Sequence, residues 1–144
     1  MRSLLALLLV FAAHAACAEV AVVDDTGARV VLAAPARRIV SLAPHVTELL
    51  FAAGAGARVV GVVDYSDYPP AARALPRVGG YSRIDFEAIL ALKPDLVVGW
   101  RSGNGPDTLE RLRRLGLPVF ASQPGTLPQI AQTIERLGAL DGLG

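Results

Sequence analysis

The chain has 144 residues, 53% of them hydrophobic, and its 14 Lys and Arg nearly balance its 13 Asp and Glu, for a formal charge of +1. Near neutrality without a basic cluster argues against a nucleic-acid binder, and a single Cys (Cys17) leaves no internal disulfide and no Cys-based metal site. The length suits one good hydrophobic core.

Residues 1–18 read as a secretion signal. Arg2 supplies the positive start, Leu4–Ala13 an unbroken apolar run, and Ala16-Cys17-Ala18 a small-residue cleavage site, which makes Glu19 the mature N-terminus. The apolar run is shorter than the roughly 20 residues of a membrane span. Cys17 also admits lipid attachment, but His14 stands where a branched apolar residue would be expected, so free secretion is favoured. Loss of Arg2 and His14 with the signal leaves a neutral mature chain whose one His is His45.

Val20–Val23 and Arg29–Leu32 are β-prone runs around Asp24-Asp25-Thr26-Gly27, a hairpin signal. A strand Ile39–Leu42 stops at Pro44. Val46, Leu49, Leu50 and Ala53 then recur at helical spacing, with Gly54 as the residue just past the helix. Arg58–Val63 predicts the next strand, and Asp64–Pro70 a loop. After a short helical piece at Ala71–Ala74, Val78-Gly79-Gly80-Tyr81 forms a glycine-flanked turn carrying an aromatic. Asp85 caps a helix Phe86–Leu92 that Pro94 ends. Asp95–Gly99 is a third core strand, followed by a glycine-rich turn and a helix marked by Leu109, Leu112 and Leu115 and closed by Gly116. Pro118–Ser122 is a fourth strand, and Thr126 with Gln129 makes a capping box for a last helix carrying Ile130, Ile134 and Leu137. Continuous apolar strands alternating with helices predict an α/β fold, a parallel sheet with helices on both faces and a short N-terminal hairpin.

In such sheets ligands bind beyond the carboxyl ends of the strands. The loops there collect Pro44 and His45, then Tyr65 and Tyr68, then Trp100 and Arg101, with Tyr81 from a neighbouring crossover. Each has a plainer explanation taken alone. Trp100 reads as a cap on the core, the two tyrosines as braces for Pro69-Pro70, Tyr81 as an exposed loop residue, and Arg101 as a solvated charge. Their shared placement turns them into an aromatic rim suited to a large planar or macrocyclic ligand. One His without a second His or a Cys builds no usual zinc site, and Ser41 lies inside a strand with no nucleophile-elbow glycines, so an enzyme using His45 lacks a partner. No phosphate-binding glycine motif is present. Glu87, in the first turn of its helix, complements the helix dipole or meets a partner's arginine.

With RIVSLAPHVTELLFAAGAG, VGVVDYSDYPP and ALKPDLVVGWRSGN in view, the chain resembles the periplasmic vitamin B12-binding proteins of ABC importers, within the helical-backbone receptors for metal chelates. The resemblance runs from about Arg38 to Gly138. It implies two α/β lobes joined by a long helix, a corrinoid in the cleft between them, no catalysis and no resident cofactor or metal. Contacts carried over fall on Tyr65, Tyr81 and Trp100, where some relatives carry Trp in place of Tyr81. Pro44, His45 and Arg101 are further candidates from the same loops, and Glu87 matches the acid that docks on arginines of the membrane permease. A haem or ferric-siderophore receptor shares the scaffold and is the alternative. Residues 19–144 would then form the N-terminal lobe alone, and the ending Asp141-Gly142-Leu143-Gly144, with no closing element, is what a fragment of a longer chain would show.

Overall fold

A computed structural model of the chain describes residues 18–143. The secretion signal expected over residues 1–18, including Cys17, lies outside the described residues except for Ala18.

The centre is a four-stranded parallel sheet built from β3 (Ile39–Ser41), β4 (Val59–Gly61), β7 (Leu96–Trp100) and β8 (Val119–Ser122), in spatial order β4-β3-β7-β8. Side chains of successive strand residues point to opposite faces, and both faces are apolar here. Ile39, Leu96, Val98 and Phe120 face one core with Val46 and Leu50 of α1 (Pro44–Ala52) and Leu137 and Leu140 of α5 (Leu127–Leu140). Val40, Val97, Val119 and Ala121 face the other, with Ile89 of α2 (Phe86–Ala91) and Leu109 and Leu112 of α4 (Pro106–Arg114). The α/β architecture, with helices on both faces, is the one the continuous apolar strands predict.

The hairpin β1 (Val20–Val23) and β2 (Arg29–Leu32) pairs antiparallel as expected, and its turn does a further job. Buried Asp24 accepts from Thr26 and Ala28 N–H with one oxygen and from Ala121 N–H with the other, while Asp25 N–H donates to the Ala121 carbonyl. Thr133 and Arg136 of α5 hold the Asp25 carboxylate at 2.9 and 3.2 Å. The hairpin thereby occupies the open edge of β8, whose unpaired backbone groups would otherwise invite another strand.

Several boundaries differ from the sequence expectation. Asp85 caps α2 by accepting from Ala88 N–H, as read. Thr126 caps α5, but the Gln129 side chain accepts from Gly125 N–H instead of completing the box at Thr126. The strand expected over Arg58–Val63 shortens to β4, because residues 56–58 wind into a 3-10 turn and Val62 bridges to Arg77. The Val78–Tyr81 turn proves to be a tight hairpin of β5 (Gly79–Gly80) and β6 (Arg83–Ile84) with Tyr81 at its apex. Gly79 has φ +97, and a Cβ there would overlap the Arg83 carbonyl, so no other residue fits this hairpin.

Candidate functional site

Because β4 lies on one side of β3 and β7 on the other, the order in which strands are added to this parallel sheet reverses between β3 and β7. That switch point opens a crevice at the carboxyl ends of the strands. Trp100 ends β7 there, and His45 lies there in the first turn of α1.

The two meet. The imidazole of His45 and the indole of Trp100 are perpendicular, 5.1 Å between centroids, and Tyr81 approaches the same indole at 5.6 Å with a 46° tilt. Both separations fall within the range of favourable aromatic pairs. Trp100 and His45 are half-buried and Tyr81 is 45% exposed, so the group forms a ledge open to solvent and not a closed pocket. Pro44, the first residue of α1, starts the helix that presents His45.

The segment after Trp100 corrects one expectation. Instead of a glycine-rich turn, Arg101–Asn104 make one helical turn, α3, and Gly105 (φ +86) then redirects the chain into α4, which begins at Pro106. Trp100 therefore belongs to the strand, pairing with Ser122, and not to the loop beyond it. This turn also takes Arg101 away from the ledge. Its exposed side chain lines a separate recess with Thr26, Pro106, Asp107 and Glu110.

Tyr65 stands on the same sheet edge, in the loop after β4, but outside the ring group. It is 82% exposed and adopts φ +65, a left-handed conformation that costs a non-glycine residue of order 1 kcal/mol. Surrounding bonds hold it there. The Arg77 guanidinium donates to the carbonyls of Val63 and Ser66 and pairs with Asp67 at 3.5 Å. Beneath it the hydroxyls of Ser41, Thr47 and Ser66 form a fully buried chain, with separations of 2.8 and 3.3 Å. Ser41 is thus inaccessible and bonded to Thr47, which removes it as a nucleophile for His45.

Burial drives the His45 pKa below its ordinary value, with Glu48 nearby opposing the shift, so the ring is neutral at pH 7. Among the described residues no cluster of His, Cys, Asp or Glu could hold a metal ion, and no helix is long and apolar enough to cross a membrane. Glu87 is exposed in the first turn of α2, beside an open recess that Asp64, Arg83, Phe86 and Arg111 also line.

Two residues of the Trp100-Arg101-Ser102-Gly103-Asn104 run, to which the sequence alone assigns no role, organise the ledge. Asn104, buried at the end of α3, accepts from the backbone N–H of Trp100 at 2.6 Å and donates to the carbonyls of Leu42 (2.9 Å) and Tyr81 (2.7 Å). Gly103 lies flat beneath the indole. The available signal was Asn and Gly within one turn of the Trp, just before a helix-opening Pro, and that pattern is common in ordinary loops.

Residues 39–143 match the sequence profile of the periplasmic binding protein family, and the chain belongs to that family. It is 52% identical over 103 residues to the vitamin B12-binding protein of Vibrio cholerae serotype O1, a match covering 72% of this chain and 37% of that one. The Yersinia pestis vitamin B12-binding protein is 47% identical over 102 residues, covering 71% and 36%. Among solved structures, the periplasmic vitamin B12-binding protein of Vibrio cholerae superposes with a TM-score of 0.69 over 72% of this chain and 41% of its own. A periplasmic haem-binding protein from Pseudomonas aeruginosa, 30% identical, superposes with a TM-score of 0.68 over 75% and 39%. The chain thus spans about two fifths of the length of the relatives it matches.

Proposed function

We propose that this chain supplies one wall of a cobalamin-binding cleft in a periplasmic receptor that delivers its ligand to an ABC importer. The observation that carries the reading is the Tyr81–Trp100–His45 ledge at the sheet's switch point, within a segment 52% identical to a vitamin B12-binding protein. Flat rings suit a corrin face, since stacking adds contact area with little entropy loss. Tyr65 and Pro44 extend the wall, and Arg101 serves only if the ligand reaches past α3. The chain corresponds to the N-terminal lobe of the relatives, so the opposite wall comes from a second lobe, and capture involves no catalytic step. Glu87 docks on arginines of the permease, where charge complementarity speeds encounter more than it raises affinity. Secretion through a signal ending at Ala18, without lipid on Cys17, places the receptor in the periplasm.

A haem receptor is the second reading, favoured by the neutral His45 imidazole at the ledge, which could serve an iron. The test joins residues 39–143 to the remainder of the Vibrio cholerae vitamin B12-binding protein in place of its own matching segment. Cyanocobalamin, haemin and a ferric siderophore are then titrated into the chimera by calorimetry. Cobalamin should bind tightest. Tighter haemin binding would favour the second reading, and a folded chimera that binds none of the three would discard both.

A further inference from the structure

The ledge is held together by a single turn of chain. We infer that Gly103 and Asn104 are positioning residues that fix the Trp100 indole in its ligand-ready orientation before any ligand arrives. Three observations converge on this turn. A Cβ on Gly103 would overlap indole atoms Cδ2, Cε3 and Cζ3, so the ring rests directly on the bare backbone of α3. One buried Asn104 amide joins three separate pieces of chain: the end of β3 through Leu42, the end of β7 through Trp100, and the β5–β6 hairpin through Tyr81. Two of these pieces carry rings of the ledge, and the third leads into α1 and His45. All three hydrogen bonds of the Asn104 side chain are spent inside the protein, which makes it a clasp and not a ligand contact. A ring seated on backbone and clasped at its own amide loses little freedom on binding, and reduced ordering cost raises affinity without a new contact.

The inference deepens the cobalamin-wall reading and rests on it, but the decisive measurements need no ligand. Trp100 is the only Trp of the chain, so intrinsic fluorescence reports on this ring alone. Gly103→Ala must displace the indole while improving the helical backbone, since Gly103 lies within α3 without a positive φ and Ala is the better helix former. Asn104→Asp keeps the acceptor for Trp100 N–H but sets a carboxylate against the carbonyls of Leu42 and Tyr81. Both variants should keep a cooperative melt, shift Trp100 emission to the red and quench more readily with acrylamide. Placed in the chimera, both should weaken cyanocobalamin about tenfold, the scale expected when a supporting shell loosens a contact. Parent-like emission and quenching in the folded variants would overturn the inference, as would a displaced ring with unchanged affinity. If neither variant folds, hydrogen exchange on the parent decides: the Asn104 side-chain amide protons should be strongly protected, and exchange at the rate of an exposed Asn would refute the clasp. A parent chimera that ignores cyanocobalamin would sink the cobalamin reading, while the fluorescence and exchange results on the chain itself still judged the turn.

Discussion

Two segments leave the same edge of the same sheet and hold their aromatics in opposite ways. After β7, the Trp100–Asn104 turn seats its ring on the Gly103 backbone and clasps the Trp100 main-chain amide with Asn104. After β4, the Tyr65 loop spends its bonds on the main chain, through Arg77 and the buried hydroxyls, and leaves its ring in solvent. The first is a fixed surface, while the second is a fixed loop bearing a free side chain. A ring already ordered contributes more per contact than one that must be ordered on binding, so Trp100 should dominate recognition and Tyr65 should trim it.

That ranking is open to direct attack. In the chimera, Trp100→Ala should weaken cyanocobalamin by about thirtyfold or more, the cost of truncating a central aromatic anchor of about 2 kcal/mol. Tyr81→Ala, which leaves the Tyr81 carbonyl for Asn104, should cost about tenfold, and Tyr65→Ala about threefold, within the spread of lesser interface residues. A Tyr65 effect larger than that of Trp100 would reverse the comparison. Smaller still is the effect of His45 on stability. Burial lowers its pKa in the native state, so the folded chain binds fewer protons than the unfolded one as pH passes between that depressed value and about 6.5. Stability should therefore rise with pH through this window and level off above it. Denaturant melts of His45→Gln between pH 5 and pH 7 should lack that part of the slope. Glu87→Ala should leave cobalamin affinity unchanged and slow uptake in vesicles bearing the permease. Weakened binding would instead place Glu87 at the ligand.

Much of this arrangement is legible in the residues. Continuous apolar runs such as Leu96–Val98, uncharged on either face, specify a parallel sheet, and helix signals at Asp85, Gly54 and Gly116 fall where the structure uses them. Trp100 at the carboxyl tip of a strand follows from that sheet. What escaped depends on contacts far apart in the chain. Asn104 reaches Leu42 across 62 positions, and Asp24 reaches Ala121 across 97, and no local propensity encodes either. Arg101 neighbours Trp100 in sequence, yet its side chain lines the recess with Thr26 and Asp107, a placement set by the tertiary packing of α3 and α4. The N-terminal hairpin was visible as a hairpin, but its role at the edge of β8 was not, since strand order is a tertiary property.

The most direct test of the central proposal is a calorimetric titration of cyanocobalamin into the folded chimera and its Trp100→Ala variant side by side. Saturable binding by the parent, weakened about thirtyfold in the variant, is the predicted result. Equal affinities in the two, or no binding by the parent, would contradict it.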